Sequence, residues 1–195
     1  MLDEISNKVA LFWPVVSTAF AAVAGWFFIY WHKWYADRKA SRLDRINKQL
    51  RELYGPLYAQ LKASDSVWEA FTGRHWPGHR RDSYFSEGAE VTDQEKAVWR
   101  NWMSNVFEPY NATTEKLILQ NIDLIDQDQI PAAFISALAH VAAYKAVLAS
   151  WKDSDFSYHT SVNNWPNIEL LSFVEPEYKR LKKLQGELIG LKLNA

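Results

Sequence analysis

The densest group of chemically versatile side chains in this sequence lies in residues 74–81, which read Arg-His-Trp-Pro-Gly-His-Arg-Arg. Guanidinium groups grip phosphate through paired hydrogen bonds, and imidazoles gain charge as the pH falls. An indole ring can in addition stack on a base. We predict an anion-binding loop whose ligand is a nucleotide, RNA or an anionic lipid, with these residues: Arg74, His75, Trp76, His79, Arg80 and Arg81. The alternative is a solvated or headgroup-facing basic loop, because such runs are common at protein surfaces.

Two residues of this loop could also support catalysis. Arg74 and His79 have an Arg-x4-His spacing that resembles the motif of the HEPN superfamily of ribonucleases, all-helical domains in which paired motifs cut RNA. Catalysis requires both side chains within hydrogen-bond reach of one phosphodiester. Pro77 and Gly78 lie between them and should break a helix that carries both. The sequence therefore favours a protein that is not an enzyme, with RNA cleavage as an alternative.

No cofactor and no metal site are predicted. The chain has no cysteine, which excludes disulfides, thiolate zinc sites and cysteine nucleophiles. His75 and His79 are four residues apart, a spacing that suits a metal only on a continuous helix, and no acidic partner lies at motif distance. His140 lies in an alanine-rich segment and is predicted to be a packed core histidine.

The first element of the chain is predicted to be a transmembrane helix. Residues 10–31 contain no charged side chain. As an α-helix they would be about 33 Å long, enough to cross a hydrocarbon core of about 30 Å. A cleavable signal peptide is the alternative, since Ala22-Val23-Ala24 imitates a cleavage site. The N-terminal region lacks its positive charge, however, and the apolar run continues to Trp31 and a basic stop.

The charges on either side of this segment predict its orientation. Only Asp3, Glu4 and Lys8 precede it, whereas cations crowd the following 20 residues: Lys33, Arg38, Lys39, Arg42, Arg45, Lys48 and Arg51. Positive charge near a span favours the cytoplasmic side. We therefore predict a single-pass inner-membrane protein with a short extracytoplasmic N-terminus (1–9), a transmembrane helix (10–31) and a cytoplasmic helical domain (32–195).

Within the span, Ser17, Ala21 and Gly25 are spaced four residues apart and form one ridge of small side chains. Small residues let the backbones of two transmembrane helices approach, which is how spans associate in lipid. The ridge therefore predicts a homo-oligomer held together by the span. A span that simply faces lipid on this side is the alternative.

The pattern of apolar residues after the span predicts an all-α fold, a cytoplasmic bundle of about five helices. Apolar side chains recur at spacings of three and four, and no convincing period-two strand pattern occurs. Thr92 and Glu95 have the spacing of a capping box, Gly55-Pro56 predicts a kink or break, and Pro131 and Pro176 predict helix starts. The predicted helices are residues 38–71, with the kink or break at Gly55-Pro56, and residues 92–107, 112–125, 131–151 and 176 onward, with a loop at 73–91.

Charge and layout together give the functional hypotheses. Residues 32–195 hold 21 cationic and 21 acidic side chains, so binding of nucleic acid or anionic lipid would need a local patch. One aromatic-bordered span followed by a small helical domain resembles small membrane effectors of bacterial antiviral systems, including the pore-forming accessory of RNA-targeting CRISPR. That resemblance implies an oligomerising effector or accessory protein that perturbs the membrane on activation. The alternative without enzymatic activity is an anchor or scaffold that recruits a protein partner.

Overall fold

The structure, a computed structural model, describes residues 2–76 and 90–190; within the first helix it describes the side chains of residue 13 and of residues 18 onward. The described residues are mostly helical and contain no β-strand, which confirms the all-α prediction. The chain divides into two units, Met1–Asp44 and Arg45–Ala195.

The first unit is a single helix. Helix α1 (Leu2–Lys48) runs for 47 residues without interruption and contains the whole predicted span. At the rise of an α-helix it is about 70 Å long. Residues 10–31 are thus one continuous helical segment, although whether that segment crosses a membrane stays a prediction.

The sequence predicted a kink or a break at Gly55-Pro56, and the helix does not break there. A π-helical turn (Gln49–Tyr54) joins α1 directly to α2 (Gly55–His75), and the Gly55 amide donates to the Leu50 carbonyl, five residues back. A Cβ at Gly55 would collide with that carbonyl oxygen, so glycine is needed there. Pro56 lies in the first turn of α2, where proline is tolerated. The local π register therefore carries the helix through the proline.

The capping box prediction is confirmed at the start of α3 (Asp93–Trp102), where the Thr92 and Glu95 side chains each accept a bond from the other's backbone amide. A second π-helical turn (Met103–Phe107) joins α3 to α4 (Glu108–Gln120), and a short 3₁₀ turn (Ile122–Leu124) follows. The two π turns leave four uninterrupted helical stretches in the described chain, so the predicted count of about five separate helices is not confirmed.

Helices α5 (Ala132–Lys152) and α6 (Asn167–Ile189) complete the second unit. Pro131 caps α5 as expected, but Pro176 lies inside α6 and does not start it. An interior proline costs about 3 kcal/mol. Leu170 and Val174, on its N-terminal side, are fully buried, and their packing keeps that part of the chain helical.

The core of the second unit consists of two apolar clusters. The first is largely aliphatic and lies where α2 packs against α4 and α6; its most buried members are Leu53, Leu57, Leu61, Ile118, Phe134, Leu170 and Leu181. The second is mainly aromatic: Phe71, Trp76, Trp99, Met103, Phe107, Tyr144, Val147 and Trp151. Helices α2 and α5 each contribute side chains to both clusters, so these two helices link one cluster to the other.

A polar junction closes the first cluster at one side. The buried Gln49 side chain donates to the Leu124 carbonyl at 2.8 Å, and Arg45 and Arg180 both donate to the Asp126 carboxylate. Partial burial alone would raise the pKa of Asp126, but hydrogen bonds from Gln49, Arg45 and Arg180 outweigh it and lower that pKa. The connection between α4 and α5 is thereby fixed to α6.

Candidate membrane-contacting helix

Helix α1 carries exposed apolar side chains on all its faces. Phe20, Val23 and Trp26 are 75%, 66% and 67% exposed, and each residue from 26 to 31 exposes more than half of its surface. Successive residues turn by about 100°, so six consecutive residues cover the full circle of the helix. A soluble monomer rarely exposes so large an apolar surface. Such a surface is typical of a segment that contacts a membrane or another protein.

Aromatic rings are concentrated at the C-terminal end of this apolar segment. Trp26 stacks on Tyr30 with ring centroids 5.7 Å apart, and Trp31 contacts Trp34 at 5.6 Å. The Arg38 guanidinium lies over the Trp34 ring at 4.0 Å, a cation–π pair between residues four apart on one helix face. The pair was not predicted, although its i, i+4 spacing was visible in the sequence. Amphipathic rings beside cations are typical of a membrane–water interface.

The predicted ridge is partly described. Ala21 and Gly25 are exposed, and an added Cβ at Gly25 would meet no atom within 4 Å. The Ser17 side chain lies outside the described residues. Nothing in the described chain fills the space beside Gly25, so the ridge is accessible to a neighbouring helix. Association through it stays a prediction.

Among the described side chains, one helix is long and apolar enough to cross a membrane by length and composition: Ala132–Lys152, which is α5. Its buried residues Phe134, Ala137 and Val141 pack within the second unit, and Tyr144 and Val147 belong to the aromatic cluster. A core helix and a transmembrane helix have similar composition, and packing distinguishes them. We therefore assign α5 to the core.

The structure corrects the predicted role of Trp76. Its indole is 2% exposed and packs against Phe71 at 4.6 Å and against Trp68 and Trp99 at 5.5 Å. A ring enclosed on several sides by other rings cannot stack on a base, so Trp76 is a core residue. Sequence reasoning missed this because Trp76 directly follows α2 and its partners come from α2 and α3, elements separated by the loop.

Arg74 and His75 lie in the last turn of α2 and not in the predicted loop. Arg74 is exposed, whereas His75 is half-buried, with its ring 5.3 Å from Phe71 and 5.8 Å from Trp102. His79, Arg80 and Arg81 lie outside the described residues. The anion-binding and RNA-cleaving arrangements of this segment therefore stay predictions.

The structure confirms that His140 is a core histidine. It is 4% exposed, and its Nδ1 lies 2.8 Å from the Asn163 carbonyl oxygen. Burial lowers the pKa of His140, although hydrogen bonds to the backbone of Asn163 and Asn164 oppose the shift. Among the described residues, no three histidine or carboxylate side chains are grouped so that they could hold a metal ion.

No family model, no curated protein and no solved structure matches this chain.

Proposed function

We propose that this chain is a single-pass inner-membrane protein that acts as an oligomerising membrane effector or accessory protein. In this proposal residues 10–31 cross the bilayer, the helical domain lies in the cytoplasm, and activation of that domain leads the assembled spans to disturb the membrane. An antiviral defence-like system is the setting that the layout suggests.

The exposed apolar surface of α1 is the observation that supports the proposal. Fully burying one large apolar side chain is favourable by about 1.5–3 kcal/mol. Residues 20–31 present at least eight such side chains to their surroundings. A hydrocarbon core removes these side chains from water together. The helical backbone needs no outside hydrogen-bond partner there. The charge-free stretch of residues 10–31 fits the same environment.

The orientation rests on the charges that follow the span. Lys33 and Arg38 come directly after the apolar residues, and five further cations lie before residue 52. Cations within this distance of a span favour the cytoplasmic side. Arg38 also covers Trp34, which suits a ring placed at the headgroup level.

The oligomer rests on the open surface beside Ala21 and Gly25. Interfaces between transmembrane helices are rich in small residues because van der Waals contact, and not hydrophobic exclusion, drives association in lipid. A ring of such helices could enclose a narrow apolar constriction that gates by dewetting.

Reporter fusions at the C-terminus test the topology. An active fluorescent-protein fusion with an inactive alkaline-phosphatase fusion is the expected result. The reverse pattern would place the helical domain outside and overturn the proposal.

Release of a dye from vesicles tests the effector activity. Purified protein should release dye when it oligomerises, and the Ala21→Leu, Gly25→Leu double variant should release less. Intact vesicles with a stable partner complex would favour the scaffold alternative. Degradation of RNA by the same preparation, lost in His79→Ala, would favour the RNA-cleaving alternative.

A further inference from the structure

A groove lies on the surface of the second unit, between the π-helical turn and α6. Its lining comes from two sides: Asn47, Leu50, Arg51 and Gly55 on one, and Tyr178, Lys182 and Gln185 on the other. Its volume is about 430 Å³. Small-molecule sites typically occupy about 300–1,000 Å³, so the groove has room for a small ligand.

Gly55 and Tyr178 line this groove from its two sides. The Gly55 Cα faces the Leu50 carbonyl so closely that no side chain fits, and the place a Cβ would take lies 4.0 Å from the Tyr178 ring. The Tyr178 ring stacks on Tyr58 with centroids 5.1 Å apart, which fixes its position. The Tyr178 side of the lining is thus held in place by a second ring.

The charged residues that line the groove are both cations, Arg51 on one side and Lys182 on the other. No lining residue carries a carboxylate. Arg51 pairs with Glu52 at 2.6 Å on an exposed part of the surface. Exposed pairs of this kind contribute about 0–1 kcal/mol, so an anion with two or more charges can compete with Glu52 for Arg51.

Hydrogen bonds connect the two sides of the groove. Lys182 Nζ donates to Gln185 Oε1 at 2.8 Å, and Gln185 Nε2 donates to Asn47 Oδ1 at 2.7 Å. Because the Asn47 oxygen accepts this bond, its NH₂ group is the part of the amide that can donate to a ligand. The chain of bonds orients Lys182 before any ligand arrives, which lowers the entropic cost of binding.

We propose that this groove binds a phosphate-bearing anion, held between Arg51 and Lys182 and assisted by the Asn47 amide. Guanidinium and ammonium groups form charge-assisted hydrogen bonds with phosphate oxygens, which are stronger than neutral ones. The phosphate belongs either to a soluble ligand or to a lipid headgroup. This inference goes beyond the proposed function, because it uses residues of the second unit alone and does not depend on a transmembrane span.

Calorimetric titration of the full chain in a neutral detergent tests the proposal. Pyrophosphate and ATP are the soluble probes, and dioctanoyl phosphatidylglycerol is the lipid probe. The Arg51→Gln, Lys182→Gln variant removes both cations from the groove. The control, Lys48→Gln with Lys183→Gln, changes net charge equally at neighbouring exposed positions that do not line the groove.

Wild-type protein should bind at least one probe saturably, and the groove variant should bind it about tenfold or more weakly, since two charge-assisted contacts are lost. The control should change affinity by about twofold at most, the scale of long-range attraction at physiological salt. Binding of pyrophosphate or ATP identifies a soluble ligand, and binding of the lipid alone identifies a headgroup.

Absence of saturable binding to all three probes would overturn the proposal. Equal losses in the groove variant and the control would overturn it as well, because the attraction would then come from overall charge. Circular dichroism of both variants should match wild type, since all four substituted side chains are exposed.

Discussion

Tryptophan has opposite surroundings in the two units of this chain. In α1, Trp26 and Trp31 are 67% and 57% exposed, whereas in the second unit Trp76 and Trp99 are 2% and 7% exposed. Residue type is the same in both units, so composition does not decide burial. In the second unit, other rings surround Trp76 and Trp99, whereas the ring contacts of Trp26 and Trp31 are with residues of their own helix. The tryptophans of the second unit therefore form a core, and those of α1 remain a surface feature.

The polar ends of the buried rings in the second unit bond to backbone carbonyl groups. In the second unit, Trp99 Nε1 donates to the His159 carbonyl and Trp151 Nε1 to the Tyr158 carbonyl, each at 2.7 Å. Tyr144 also donates to the His159 carbonyl. Buried indoles need such partners. These bonds fix the irregular segment after α5 to the aromatic cluster, so aromatic residues there hold tertiary structure together.

Charges placed in the apolar segment of α1 should have the strongest effect of the variants considered. Phe20→Arg with Val23→Arg places two charges near the centre of the predicted span, each of which costs about 2.5–3.5 kcal/mol at that depth. The variant should leave the membrane fraction on alkaline carbonate extraction, measured by immunoblot. Tyr35→Arg, at the basic end of the segment, should stay in the membrane. Membrane retention of the double variant would exclude residues 10–31 as the anchor.

A pair of phenylalanine truncations compares the two units directly. Phe71→Ala removes a ring that is 1% exposed within the aromatic cluster and should lower the free energy of unfolding by about 3–5 kcal/mol. Phe28→Ala removes a ring that is 70% exposed and should change it by about 0.5 kcal/mol or less. Guanidinium unfolding in detergent, followed by near-ultraviolet circular dichroism, measures both. Similar losses would show that α1 is packed against protein.

The small-residue ridge predicts that α1 also contacts protein, namely the α1 helix of a second copy. Ala21→Leu with Gly25→Leu should weaken association by about 1–2 kcal/mol, the scale of contacts between transmembrane helices. No atom of the described chain lies within 4 Å of a Cβ at Gly25, so the loss would come from a neighbouring molecule. Cross-linking in membranes measures it.

The control for the ridge places leucine on the opposite side of the helix. Val23→Leu with Phe27→Leu lies about 200° around the helix from the ridge positions. It should leave the oligomer intact. Equal association in wild type and both variants would show that the helical domain alone holds any assembly.

The buried His140 of the second unit should make a small, pH-dependent contribution to the free energy of unfolding. Burial lowers the pKa of His140 from 6.5, so the unfolded chain takes up a proton at a higher pH than the folded one. The stability that this neutral side chain contributes is complete above pH 6.5 and is lost as the pH falls toward the lowered pKa. Urea unfolding is measured at pH 7.5, 6.5 and 5.5. The difference in the free energy of unfolding between wild type and His140→Gln should become smaller as the pH falls. Parallel profiles would contradict this.

Local signals in the sequence predicted several elements correctly. Thr92 and Glu95 gave the start of α3, because a capping box involves only four consecutive residues. Pro131 preceded α5 as expected, and the apolar positions predicted an all-α fold. The burial of His140 followed from its apolar surroundings on one helix. Each of these inferences uses neighbours along the chain.

Features that depend on distant residues were not predictable. Pro176 was expected to start a helix, but Leu170 and Val174 pack into the core and extend α6 back to Asn167. Gly55-Pro56 was expected to kink or break a helix, but the chain stays helical there through a π-helical turn. Arg51 and Lys182 are far apart in the sequence, and only the packing of α6 beside the π-helical turn brings them to one groove.

The spacing of apolar residues was sufficient to predict the all-α fold. The order of residue types along the chain was sufficient to identify a charge-free apolar segment bordered by aromatic rings and cations. The tertiary structure decided which rings face outward and which fill the core. Trp76 shows why: its burial depends on Trp68 in α2 and Trp99 in α3, and contacts across a loop follow from packing that no local pattern encodes.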